Sequence, residues 1–214
     1  RFRRINRMTE KERMVAGKLY SPLDKELRAC FARSRKLIRE FNLSEANDFG
    51  YRQKIIQTLF ESTGENLHIE PTFRCDYGMN ISVGENFYAN YGCVIIDVCK
   101  VKIGDNVMFG PNVGIYTAGH PIDAEVRNGS LEFGKPITIG DNVWIGGSSV
   151  VNPGVSIGDC VVIGSGSVVT KDIPDNVIAV GNPCRVLRPI TEEDKKYWRA
   201  ERDRYYAETE DMSK

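Results

Sequence analysis

The stretch from 139 to 171 reads IGDNVW IGGSSV VNPGVS IGDCVV IGSGSV VTK. An aliphatic residue opens every sixth position: Ile139, Ile145, Val151, Ile157, Ile163 and Val169. A helix of about 3.6 residues per turn cannot keep residues six apart on one face. Plain alternation fails too, because the intervening positions are mostly small or polar. A repeat of this period belongs to β-helix solenoids, in which each six-residue unit supplies one short strand and one turn. The aliphatic side chains are expected to point into the core. Gly140, Gly146, Gly158 and Gly164 follow four of them. The Gly, Asn and Asp residues there are expected to supply the positive φ of tight corners.

The chain of 214 residues is long enough for one large domain, or one with small appendages. Lys+Arg and Asp+Glu both number 29. That balance argues against a general nucleic-acid binder, which carries a basic excess. No apolar run reaches membrane-spanning length and no signal-peptide pattern is present, so no membrane partner and a cytoplasmic location are expected. Six cysteines occur without a C-x-x-C pair. They read as buried or half-buried thiols in a reducing compartment, not disulfides or zinc ligands. The opening RFRRIN is set aside as a remnant or alternative start.

Thr9 and Glu12 match a capping box, which predicts a short helix ending near Gly17. Leu27, Phe31, Ser34, Ile38 and Phe41 form one mostly apolar stripe, which predicts a second helix. A third is predicted from Asp48 to Ser62, ended by Gly64. These helices are expected to cover the open first coil of the solenoid or lie beside it. The six-residue phase begins at Ile81 and Val83, slips by two residues after Val101, and resumes at Ile103. It is lost from His120 to Pro136, which reads as an extruded loop. Thr191 to Asp194 predicts the start of a last helix. Its Tyr197, Trp198 and Tyr205 are expected to pack on the solenoid, with a frayed tail from Glu208.

AGKLYSPLDKEL followed by REFN resembles the N-terminal helical segment of the maltose and galactoside O-acetyltransferases. FYANYGCVIIDVCKVKIGDNVMFGPNVGIYTAGHPID resembles the matching stretch of the maltose acetyltransferases over most of its length. The hexapeptide-repeat acyltransferases, to which both belong, form a left-handed parallel β-helix with three strands per coil. The resemblance implies an N-terminal helical segment over 8–64, the β-helix over 65–188 with an extruded loop at 121–136, and a C-terminal helix and tail over 189–214.

The same resemblance implies an acetyl-CoA-dependent transfer of acetyl to a sugar hydroxyl. His120 corresponds to the family's general base. His68, between Leu67 and Ile69, reads as structural. Asn90 is the candidate donor for the acetyl group or the acceptor oxygen. Asp76, Tyr88 and Asp97 match positions lining the sugar site. Asp24 and Arg33 are further sugar-site candidates, but Asp24 reads equally as a helix cap and Arg33 as a solvated charge. Some relatives carry a second acidic residue where this chain has Val98. On the coenzyme side, Trp144 matches a residue flanking the thiol. The small residues Gly146, Gly147, Ser148, Ser165 and Gly166 let the thin pantetheine arm approach the backbone. Thr170, Lys171, Arg185 and Arg188 match its remaining contacts. A homotrimer is implied, with clefts between neighbours, and no metal is required.

Two other readings compete. A carbonic-anhydrase-like β-helix needs three histidine ligands, and His68 with His120 cannot supply them. A catalytically silent scaffold, or an acyltransferase acting on something other than a sugar, is the remaining alternative. No G-x-S-x-G elbow supports an acyl-serine route.

Overall fold

The computed structural model describes residues 8–210. The opening residues 1–7 and the last part of the tail, 211–214, lie outside the described residues. The repeats wind a prism of three parallel sheets. Face I stacks strands at 67–69, 87–89, 108–109, 144–145, 162–163 and 177–180, closed by an antiparallel strand at 185–189. Face II stacks 74–75, 94–96, 114–116, 150–151 and 168–169. Face III stacks 81–83, 101–103, 137–139 and 156–157. The six aliphatic residues that set the phase are each at most 2 % exposed. They fill the prism axis together with Phe87, Phe109 and Ile115.

Registers show how the coils are counted. Val151 pairs with Val169 and Ile145 with Ile163, 18 residues apart. Lower down, Ala89 pairs with Phe109 and Ile95 with Ile115, 20 residues apart. The two extra residues sit in the corner between faces II and III. Cys75 to Val83 and Ile95 to Ile103 both take eight steps instead of six. The slip in the sequence is therefore a longer corner used in two successive coils.

The I-G-D-N wording has a stacking cause. Asp105, Asp141, Asp159 and Asp175 each accept a backbone N–H from the coil below, at 2.7–2.8 Å. A Cβ on Gly84, Gly104, Gly140 or Gly158 would overlap the carboxylate of the next coil. Those glycines are there for close approach, and their φ is not positive. The left-handed residue is the one two places on. Asn86, Asn106, Asn142 and Asn176 take φ between 55° and 57°, and Cys160 takes 55°. The expectation that glycine itself supplies the positive φ is thus corrected at these corners. Gly140→Ala is expected to destabilise the protein by about 1–3 kcal/mol through overpacking. Denaturant unfolding checks it, with Gly50→Ala, where a Cβ meets open space, as the control.

The N-terminal segment caps the prism. Helix α1 (Glu10–Val15) has the predicted capping box at Thr9. Helix α2 (Lys25–Asn42) buries Leu27, Ser34, Ile38 and Phe41, the predicted stripe. Helix α3 is shorter than expected, Phe49–Leu59. Phe60 turns extended and leads into the first coil, where Gly64 packs on the Glu85 backbone instead of ending the helix. Ile38, Phe41, Ile55, Ile56 and Leu59 join the solenoid core, so α2 and α3 plug the open first coil.

The extruded segment is not irregular throughout. It carries helix α4 (Ala124–Asn128) and an antiparallel ribbon of 118–119 with 133–134. The last helix, α5 (Glu192–Glu210), departs from expectation. Tyr197, Trp198 and Tyr205 are more than half exposed, so they do not pack on the solenoid. The strand at 185–189 before it is exposed along its length, and the helix starts outside the sheet. Among the described residues no helix is long and apolar enough to cross a membrane.

Candidate active site

Two corners of the prism gather the chemistry. The corner between faces I and II carries a groove of about 340 Å³. Tyr88, Asn90, Met108, Pro111, Trp144, Gly147 and Ser165 line it. Asn90 enters the corner directly after the buried Ala89, with its N–H donating to Phe109 O at 3.0 Å. Its side-chain Oδ1 accepts from the Tyr91 N–H at 2.8 Å. Its Nδ2 makes no hydrogen bond among the described residues and remains an available donor. A Cβ on Gly147 would stand 3.1 Å from Pro111, so the groove floor is backbone and ring. Trp144, half exposed, walls it.

The corner between faces II and III carries the extruded segment. Tyr20 and Glu132 exchange backbone hydrogen bonds at 2.9 and 3.1 Å, and Tyr20 Oη donates to Glu132 Oε2 at 2.7 Å. This pins the segment to the chain between α1 and α2. Beneath it lies a hollow of about 540 Å³, lined by Tyr20, Phe31, Arg35, Asp76, Tyr77 and Glu132 among others. A neighbouring hollow of about 750 Å³ shares Phe31, Arg35 and Asp76. His120 directly follows the ribbon strand 118–119 at this same corner. It is exposed in the isolated chain, and its ring makes no hydrogen bond among the described residues.

Burial shapes the electrostatics. It pushes the Asp76 carboxyl up to about 6, with Glu132 adding to the shift and Arg35 opposing it. Burial also lifts Asp97 to about 7, against the N–H donors that favour its charged form. Both folded values lie above the ordinary Asp value of about 4. The folded state therefore holds these protons more tightly. Their stabilisation is complete below about pH 4 and is lost as pH rises through 6 to 7. Asp76→Asn is expected to flatten the fall in melting temperature between about pH 4 and 6 relative to wild type. A parallel slope would remove Asp76 from this role.

The other sequence candidates take distinct places. Asp24 caps α2, accepting from Glu26 N at 2.9 Å and Leu27 N at 3.2 Å. Arg33 donates to Thr58 O at 2.6 Å, tying α2 to α3, and lines neither hollow. Asp97 is fully buried and accepts from the N–H groups of Asp76, Tyr77 and Asn80 at 2.9–3.3 Å. It builds the long corner and has no face on the hollow. Tyr88 sits with Asn90 in the groove, apart from Asp76. Thr170 and Lys171 are exposed at the upper end of the face II–III corner. Arg185 donates to Cys184 O at 2.7 Å, and Arg188 pairs with Asp194 at 2.5 and 3.0 Å. Arg35, Tyr20, Tyr77 and Glu132 were not among the expected site residues. Arg35 is one charge among several beside a helix stripe. Tyr20 and Glu132 are 112 residues apart, and no local pattern joins them.

The maltose acetyltransferase hexapeptide capping motif matches residues 13–64. The bacterial transferase hexapeptide (six repeats) matches 136–171, and the hexapeptide repeat of succinyl-transferase matches 100–123. The maltose O-acetyltransferase from Clostridium difficile 630 is 56 % identical in its crystal structure. The similarity covers 87 % of this chain and 100 % of that one, with a TM-score of 0.86. The chain belongs to the maltose and galactoside acetyltransferase family. Two other members are similar over nearly the same span. The structure of a galactoside acetyltransferase in complex with coenzyme A is 47 % identical, with a TM-score of 0.85 over 88 % of this chain and 94 % of that one. Galactoside O-acetyltransferase of Escherichia coli K12 is 47 % identical over 187 residues, covering 87 % of this chain and 92 % of that one. The family's capping motif covers the helical segment, and the two hexapeptide models cover coils on either side of the extruded segment.

Proposed function

We propose that the protein moves acetyl from acetyl-CoA to a hydroxyl of a small sugar, with His120 as general base. The observation that carries this reading is the groove, which gathers Asn90, Trp144, Gly147 and Ser165 from three coils into one channel. Acetyl-CoA is a substrate here. Its thin arm suits a floor of glycine and serine; Thr170 and Lys171 stand on the corner that also carries His120, so they would reach its polar end only from a second copy. The hollow with Asp76, Arg35 and Glu132 supplies carboxylate and guanidinium partners for sugar hydroxyls.

A sugar alcohol is a poor nucleophile at neutral pH. His120 takes its proton as the oxygen bonds to the thioester carbonyl carbon. The carbonyl electron pair moves to oxygen, where the Asn90 amide donates to it. Collapse of this intermediate breaks the carbon–sulfur bond. The leaving thiolate recovers the proton from His120, giving the acetyl ester and CoA.

His120 and Asn90 lie on different corners, separated by face II. A three-residue strand spans about 10 Å. A second copy, presenting its His120 corner to the groove, brings the two groups together. The upper part of face II suits such a contact: Tyr116, Val150 and Val168 point outward, whereas face III shows Ser82, Lys102, Thr138 and Ser156. A closed homotrimer gives three equivalent sites. Thiol release from acetyl-CoA tests the activity. Release should depend on added maltose or glucose. Release indifferent to any sugar would refute the acceptor class, and an acetyl-enzyme trapped with acetyl-CoA alone would refute direct attack.

A further inference from the structure

The groove residue Tyr88 has little holding it within its own strand. Phe87 and Ala89 point into the core, and Tyr88 points outward, half-buried. Its hydroxyl makes no hydrogen bond among the described residues. It separates the groove with Asn90 from a second hollow of about 290 Å³ that also contains His68 and Asn86. With space on both sides, its ring orientation needs another support.

His68 supplies one. The strand 67–69 pairs in parallel with 87–89, and His68 is the register partner of Tyr88. The two rings are stacked, 5.6 Å between centroids and 10° between planes. The imidazole is itself fixed. Its Nε2 lies 2.7 Å from Glu70 Oε1, two residues on and therefore on the same side of the strand. A carboxylate only accepts, so Nε2 carries the proton. Phe49, at the start of α3, packs near the imidazole at 5.5 Å. Beyond Tyr88 the same outward row continues through Met108 to Trp144. The row thus runs from the helical cap to the groove wall.

We infer that His68 is a positioning residue for the transfer reaction: it sets the lean of Tyr88 and so the shape of the groove beside Asn90. It acts through its flat ring and touches neither reacting atom. The inference rests on the groove being the reacting site, so the experiment separates the two. Sugar-dependent acetyl transfer is measured for Tyr88→Ala, His68→Leu and His68→Phe, each checked for melting temperature and sedimentation. His68→Leu keeps bulk but removes the stacked ring. Its kcat/KM for the sugar should fall about tenfold or more, as a displaced groove wall misplaces the reactants. His68→Phe should return to within about threefold of wild type, because stacking needs only a ring. If Tyr88→Ala is impaired while His68→Leu is normal, the positioning role is wrong and the groove reading stands. Equal losses in His68→Leu and His68→Phe would also overturn it, since the ring alone would then not suffice. If Tyr88→Ala keeps full activity, the groove reading fails and the inference falls with it.

Discussion

His120→Ala lowers turnover by about 10²- to 10⁴-fold, the range expected when a positioned general base is lost. Acetyl-CoA binding and melting temperature should stay close to wild type. The structural reason is that the side chain is exposed and makes no hydrogen bond among the described residues, so its removal leaves no unpaired group behind. The backbone around it is held independently, by the ribbon of 118–119 with 133–134 and by the Tyr20–Glu132 lock. Steady-state kinetics with calorimetric titration of acetyl-CoA separates the two effects. A variant that retains most turnover would remove His120 from the chemistry. One that loses coenzyme binding along with turnover would make it a binding residue.

Asn90→Ala is expected to cost about 10²- to 10³-fold in kcat, the usual loss for one donor to a developing oxyanion. Here a stability effect accompanies the kinetic one. Asn90 Oδ1 accepts the Tyr91 N–H, and alanine removes that partner at a cost of about 1 kcal/mol. Asn90→Asp divides the two roles. It keeps an oxygen for Tyr91 but replaces the amide donor with a charge that repels the oxyanion. Stability should recover while turnover stays low. If Asn90→Asp recovers turnover as well, the amide contributes only by shaping the corner.

The sequence made the solenoid legible because one physical demand recurs. Every coil must bury an aliphatic side chain at the same place, and the Asp and Gly beside it must stack. That regularity alone marks the six aliphatic positions from Ile139 to Val169 as core. The same regularity hid why the glycines are there. Close approach and positive φ leave the same letter, and only the stacked Asp carboxylates tell them apart. The groove was legible in part: the family resemblance pointed to Asn90 and Trp144, and the small side chains of Gly147 and Ser165 suited a thin ligand, while the spacing alone did not bring the four together. The second corner was not. Its hollow is built between α2, the segment after α1 and the extruded ribbon, and spacing does not record contacts between such distant stretches. Asp97 shows the limit clearly. A carboxylate in a family-like stretch can face a ligand or satisfy a tight corner, and its three backbone donors show that it does the second. The aromatics of α5 mislead for a similar reason: large apolar rings suggest packing on the solenoid, yet among the described residues Tyr197, Trp198 and Tyr205 stay exposed.

The claim on which the rest depends is that one subunit's His120 corner completes its neighbour's Asn90 groove. His120→Ala and Asn90→Ala subunits, each nearly inactive alone, can be co-refolded at equal amounts and assayed. Random mixing leaves an intact pair at about one interface in four, so about a quarter of wild-type activity should return. A mixture no more active than its separate components would contradict a site shared between subunits.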